Sequence, residues 1–350
     1  MVQQPLPVAD LDHILNETRP LWEEMRGKRI FITGGTGFFG CWLVESFLHI
    51  NRHLSLSAHA TILTRDPAAF VKKCPHIAAD PALALHTGDV RNFSFPVGGF
   101  EFLIHAATEA SGKQAAEKPL EMLTTIIDGT ERILDFATTH GTRKLLLTSS
   151  GAVYGKQPAN LTHIPEDYLG GPDPLDHASV YAEGKRVSEQ MCALQSTHGS
   201  IEIKIARCFA FVGPHLPLNA HFAIGNFIGD VLAGRPIKIN GDGTARRSYL
   251  YASDLAIWLW TMLFRAQGLV PVNVGSAQDL SILELAQAVV QSLNLSVDVH
   301  VAKSPDPGVP VARYVPSVSR AKMMLGLDQT VGLQEAIRRT ARWHVGGSGV

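Results

Sequence analysis

Apolar residues along this chain fall into short unbroken runs separated by longer stretches of helical spacing. Ile30-Phe31-Ile32, Ala60-Thr61-Ile62-Leu63, Leu83 to His86, Phe100 to Ile104 and Lys144 to Ser150 each read as a buried parallel strand. Between them, Phe39, Trp42, Leu43 and Phe47 share one helix face, and Met122, Ile126, Ile127, Ile133, Leu134 and Phe136 mark a second helix from Pro119 to Thr139. Strand and helix in alternation predict an α/β fold, a doubly wound parallel Rossmann sheet, with its ligand crevice at the carboxyl ends of the strands. Ahead of the first strand, Leu11, Ile14, Leu15, Leu21 and Trp22 keep roughly helical spacing and Pro20 breaks it, predicting a helical extension packed on the outside of the main domain. After Arg207 the alternation stops at Gly213-Pro214 and Pro217, and a smaller carboxyl-terminal α/β lobe is expected. There, Arg246 to Tyr251 reads as a strand and Val272 to Gly275 as another, with helices at Leu255 to Phe264, Ile282 to Leu293 and Leu333 to His344. The expected division is an extension over 1–27, a Rossmann domain over 28–207, a substrate lobe over 208–240, a return to the Rossmann domain over 241–275, and the rest of the lobe over 276–350.

The first strand runs into Thr33-Gly34-Gly35-Thr36-Gly37-Phe38-Phe39-Gly40. Gly35, Gly37 and Gly40 satisfy G-x-G-x-x-G, and Gly34, Gly37 and Gly40 satisfy the G-x-x-G-x-x-G spacing. Missing β-carbons let the chain turn sharply, bring its amides to a pyrophosphate and pack the new helix on the strand, so strand, turn and helix in this order predict a dinucleotide site. The second strand ends in Thr64-Arg65-Asp66, where such a fold reads the adenosine ribose. A carboxylate at the tip would choose a free 2′-hydroxyl and an arginine a 2′-phosphate. With Thr64 at the tip, Arg65 next and Asp66 one step late, the order favours NADP over NAD. Asp89 of Gly88-Asp89-Val90 is a candidate acceptor for the adenine amino group, and His105-Ala106-Ala107-Thr108 supplies small residues for close approach.

Composition narrows the function classes. The 350 residues are 45% hydrophobic and 18% charged, with a net charge of −1, which gives neither a nucleic-acid footprint nor a polybasic membrane face. The opening residues have no signal-peptide pattern and the most apolar helix is too short to cross a bilayer, so a cytoplasmic protein is expected. Cys41, Cys74, Cys192 and Cys208 form no C-x-x-C pair and no metal-ligand spacing, and the 15 histidines include no H-E-x-x-H, so no metal is expected.

The fifth strand delivers Ser149 and Ser150 at its carboxyl end, and a helix from about Ala178 carries Tyr181 and Lys185 four residues apart on one face. A nearby ammonium favours phenolate and should lower the tyrosine pKa, fitting it for acid/base work. Together with the glycine turn, Asp89-Val90, His105-Ala106-Ala107, the run Ser149 to Gly155, Arg207 to Pro214 and Arg247 to Asp254, this set resembles the extended short-chain dehydrogenase/reductases, and within them the nucleotide-sugar epimerase/dehydratase branch. The resemblance covers nearly all of residues 28–345. It implies a bound nicotinamide dinucleotide held by Gly34, Thr36, Gly37, Phe38, Phe39, Gly40, Arg65, Asp89, Val90, Ala106, Ala107 and Lys185, and a nucleoside diphosphate sugar between domain and lobe. It further implies Tyr181 as the acid/base, Lys185 as its tuning partner, Ser149 and Ser150 beside the sugar, Arg247 on the diphosphate, and a homodimer. Two positions depart from the family. Where its dehydratases carry an acid pair and its uronate decarboxylases keep a glutamate, Gly151 and Ala152 cannot transfer a proton, and Ile126 replaces a common asparagine. Glu183 is on a different helix face from the Tyr181–Lys185 pair and substitutes poorly. The pattern therefore implies a 4-epimerase first, with a 4-ketosugar reductase, a dehydratase with relocated acids, or a non-catalytic dinucleotide sensor as alternatives.

Overall fold

The computed structural model describes residues 2–107, 117–197, 199, 201–220 and 222–346; Thr108 lies outside them. Its centre is a seven-stranded sheet in the order 3-2-1-4-5-6-7. The strands are β1 (Arg29–Thr33), β2 (His59–Thr64), β3 (Leu83–Thr87), β4 (Phe102–His105), β5 (Lys144–Ser150), β6 (Glu202–Cys208) and β7 (Val272–Val274). Every pairing is parallel. Strand order reverses between β1 and β4, and a crevice opens at such a switch point.

Period-two alternation decides which face each side chain joins. Ile30 and Ile32 of β1 enter the larger core, with helices α1 (Val8–Thr18), α2 (Phe38–His53) and α6 (Ala252–Arg265). Phe31, between them, enters a separate aromatic cluster on the opposite face with Phe93, Phe100 and Phe136, where the Phe31 and Phe136 ring centroids are 4.4 Å apart. Phe136 belongs to α3 (Pro119–Thr139), and α4 (Val180–Ser196) lies beside it. Helix α5 (Ala223–Leu232), α7 (Ile282–Leu293) and α8 (Leu333–His344) build the smaller lobe with three small sheets.

One expectation is met here and one needs correction. The amino-terminal extension packs on the outside of the main domain: Ile14, Trp22 and Met25 are fully buried on its inner face, and Asn16, Glu17 and Arg19 are exposed on the other. The reason is α6, which is buried from Ala252 through Phe264 and so needs cover on every side. Trp22 meets Trp260 at 4.8 Å, and Tyr251 donates its phenolic hydrogen to buried Asp10 at 2.7 Å. Arg246 to Tyr251 is not one strand. Arg246–Ser248 pairs with Asp279–Ser281, whereas Leu250–Tyr251 pairs with Phe211–Val212, so the chain changes sheets at Tyr249. Among the described residues no helix is long and apolar enough to cross a membrane.

Candidate active site

The glycine turn is shaped as its spacing requires. Gly34 has φ +72, and a Cβ there would meet the Ala106 carbonyl oxygen at 2.4 Å. A Cβ on Gly40 would meet the Gly34 oxygen at 2.2 Å, so only glycine lets α2 pack so close to β1. Gly37 stands at the N-cap of α2 and brings no capping side chain, leaving first-turn amides directed at an incoming anion. Thr33 secures the neighbouring strand end: its Oγ1 accepts from the amides of Ala106 and Ala107 at 3.2 and 3.1 Å and meets His105 Nδ1 at 2.8 Å.

A cleft of about 380 Å³ opens here, lined by Gly34, Thr36, Gly37, Thr64, Arg65, Asp89, Val90, Ala106 and Ala107 among others. A dinucleotide fits this cradle, because glycines at 34 and 40 allow the tight turn and the helix start at Gly37, with no capping side chain, suits a phosphate. The structure puts most of the expected cofactor residues on this surface. Phe38, Phe39, Gly40 and Lys185 are not part of the lining; Phe39 packs edge-on against Phe211 at 5.0 Å, so what the three turn positions offer a ligand is backbone. Asp89 is held by Arg91, whose Nε and Nη2 donate to its two oxygens at 2.8 and 3.0 Å. Those hydrogen bonds keep its carboxyl below the usual range. Asp66 caps the helix Pro67–Lys73 through the Ala69 amide at 2.9 Å, which leaves Arg65 as the charged side chain of this strand end that lines the cleft. Ile126 also lines it, and fills the space that Gly184 leaves on α4: a Cβ at 184 would meet Ile126 at 2.9 Å.

At the carboxyl end of β5 the catalytic candidates converge. Tyr181 is hydrogen-bonded to Ser150, and burial pushes its phenol up to about 12, with that hydrogen bond working the other way. The expected lowering by Lys185 is therefore overturned in this state. The Lys185 Nζ lies 5.9 Å from the Tyr181 ring centroid and donates to the Thr148 carbonyl at 2.8 Å, and burial lowers its own pKa to about 8. His105, one strand over, is kept neutral at about 3 by burial and by Lys185. Ser150 is also 3.5 Å from the hydroxyl of Tyr314, a second tyrosine from the far end of the chain that sequence reasoning missed. Ser149 does not share this role. It donates to Glu189 at 2.5 Å, and Glu189 is paired with Arg207 at 2.7 Å in a half-buried ion pair.

The space at Gly151 is occupied. A Cβ there would lie 2.6 Å from the Phe209 ring, which packs on Tyr314 with centroids 4.7 Å apart. An acidic side chain at 151 has no room while Phe209 is in place. Of the two adjacent arginines, Arg246 is committed to Asp279, and Arg247 lies with its guanidinium carbon 5.8 Å from the Tyr314 ring, facing the site.

The parallel sheet, the glycine cradle and the tyrosine–lysine–serine group define a dinucleotide-dependent enzyme of the short-chain dehydrogenase/reductase type. A family model, the NAD dependent epimerase/dehydratase family, matches residues 30–275. The chain belongs to that family. UDP-glucuronic acid decarboxylase 1 of Danio rerio is 30% identical over 90% of this chain and 72% of its own length. UDP-glucuronic acid decarboxylase 3 of Arabidopsis thaliana is 31% identical over 88% of this chain and 86% of its own. Among solved structures, the Thermotoga maritima UDP-glucose 4-epimerase with UDP-glucose has a TM-score of 0.74 at 19% identity, covering 91% of this chain and 98% of that one. The dTDP-glucose 4,6-dehydratase DesIV of Streptomyces venezuelae, with NAD bound, has a TM-score of 0.76 at 22% identity, covering 91% and 97%. The structural likenesses establish the fold, and the family establishes an NAD-dependent enzyme.

Proposed function

We propose that this protein is a nucleotide-sugar 4-epimerase: it oxidises a sugar carbinol to a ketone and returns hydride to the same carbon. The observation that carries this reading is the junction of Tyr181, Ser150 and Lys185 beside a Gly151 position filled by Phe209. A proton acceptor for the sugar hydroxyl is present, and position 151 carries no group to protonate a leaving hydroxyl. A nicotinamide dinucleotide held in the cleft would supply the hydride acceptor and donor. Ser150 orients the sugar oxygen toward the phenol, and Tyr181 takes and later restores its proton. Lys185, anchored on Thr148, would hold the nicotinamide ribose. Arg247 suits the substrate diphosphate, with the sugar enclosed between the Rossmann domain and the lobe of 208–240 and 276–350.

For the cofactor, Arg65 on the cleft wall and Asp66 turned to capping support NADP. A second reading comes from the curated relatives. If the sugar is a uronate, the same oxidation places a ketone β to its carboxylate, and carbon dioxide can leave without an acid at 151. Incubation with a panel of sugar nucleotides, read by mass and by chromatography against C4 epimers, tests both. A C4 epimer of unchanged mass is expected. Loss of carbon dioxide from a UDP-uronate would establish the second reading instead, and loss of water would overturn both.

A further inference from the structure

Three side chains that sequence spacing keeps apart meet behind the first turn of α2. Cys41 is on α2 itself, Cys74 lies between the short helices Pro67–Lys73 and Pro75–Ala78, and His215 is on the loop after Phe211–Val212. All three are buried, and their sulfur and nitrogen atoms lie within 4.8 Å of one another. None of them lines the dinucleotide cleft. The amino-terminal segment closes the cluster. The Gln3 amide donates to the Lys73 carbonyl at 2.8 Å, and the Gln3 side-chain oxygen lies 3.2 Å from Cys74 Sγ and 2.8 Å from His215 Nδ1. On the other side of the ring, His215 Nε2 is 3.1 Å from Glu45, which also accepts from the Leu6 amide at 2.8 Å. Oxygen atoms thus face both ring nitrogens, while a neutral imidazole has only one N–H to give. His215 also has φ +69, a left-handed conformation that a non-glycine residue keeps only where its surroundings impose it.

We propose that Cys41, Cys74 and His215 form a structural zinc site. Two sulfurs and an imidazole nitrogen suit a borderline-soft dication, and hard cations such as magnesium or calcium would need oxygen ligands. Glu45 takes the Nε2–H and so presents Nδ1 to the metal, the carboxylate–histidine arrangement common around zinc ligands. The Gln3 oxygen, adjacent to both Cys74 and His215, is placed for the fourth position. Binding exchanges the two thiol protons, released to solvent, for two zinc–sulfur bonds, and two thiolates neutralise the dication. The site ties the amino-terminal segment and the His215 loop to the helix that carries the glycine turn. That turn is already linked to the cluster, because the Thr36 carbonyl accepts from Lys73, the neighbour of Cys74, at 3.1 Å.

The test uses the untagged, reduced full chain, stripped with a chelator and titrated with cobalt(II) as a spectroscopic stand-in. One cobalt per chain is expected, with thiolate-to-metal charge-transfer and tetrahedral d–d absorption that zinc displaces. Cys74→Ser should lose much of the sulfur absorption, and Glu45→Gln should weaken metal affinity by about 10–100-fold. Should either variant fail to fold, the wild type still decides: zinc must protect two of its 4 cysteines from a thiol reagent. Cobalt binding without sulfur bands, undiminished bands in a folded Cys41→Ser/Cys74→Ser variant, or absence of zinc protection would overturn the proposal.

Discussion

Gly151→Ala adds one methyl group, and its consequence follows from the neighbours of that site. Gly151 is not among the positive-φ residues, so alanine meets no backbone penalty there, and any cost is steric. The added carbon would lie 2.6 Å from the Phe209 ring, inside the ordinary contact range of about 3.5–4.0 Å. Phe209 must retreat by about an ångström, but Tyr314 stands against it at 4.7 Å and Tyr154 at 6.3 Å between centroids. Overpacking of this kind costs about 1–3 kcal/mol. Displacement of Tyr314 would also move a hydroxyl that faces Ser150, and misplacement on that scale can cost up to about 10²-fold in turnover. Guanidinium denaturation and steady-state turnover measure the two effects. In a double-mutant cycle, Phe209→Leu should relieve the cost of Gly151→Ala, giving a coupling of about 0.5–3 kcal/mol. If Gly151→Ala leaves stability unchanged, or if the two substitutions add independently, Phe209 is not what keeps a side chain out of position 151, and the physical account of the missing acid fails.

Tyr181→Phe removes one oxygen and should lower turnover by roughly 10²–10⁴-fold while the fold and dinucleotide binding persist; near-normal turnover would remove Tyr181 from catalysis. Arg65→Ala should weaken NADP by roughly 10–150-fold, the equivalent of about 1.5–3 kcal/mol, and leave NAD nearly unchanged in fluorescence titrations; equal effects on both would remove the NADP preference. Trp22→Ala should cost about 3–5 kcal/mol in chemical denaturation, because the ring is fully buried; a cost below about 1 kcal/mol would show that Trp22 does not anchor the extension on α6. Asp279 gives a pH-dependent case. Burial raises its pKa, but Arg246 and Arg313 outweigh that and the carboxyl ends below its usual 3.8. A depressed folded pKa means stability present above 3.8 and lost as pH falls below it, so Asp279→Asn should be less stable by about 1–2 kcal/mol near neutrality and the gap should close in acid. A gap that stays constant down to acid pH would show that the carboxylate charge is not what stabilises this contact.

The parts of the molecule that sequence predicted well are those fixed by near neighbours in the chain. Helix α7 begins and ends at Ile282 and Leu293 as its periodicity implies, because Ser281 and Glu284 form a capping box within one turn. The glycine turn and the Tyr181–Lys185 spacing are equally local. What the extension covers is a longer-range matter: periodicity says that Asp10 to Met25 is helical, and only the all-round apolarity of Leu255 to Phe264 says that something must cover it. Tyr314 and Phe209 had no local signal at all, since each reaches the site through the sheet and the lobe. Contacts between distant residues also surround both departures from the family pattern. Ile126 is not a lost asparagine in isolation, because it fills the volume that Gly184 vacates on the facing helix. Gly151 is not a lost acid in isolation, because the Phe209 ring stands where a side chain would begin. At 151 the obstacle is in space and not in sequence, so a chemistry that needed an acid there would need Phe209 changed as well.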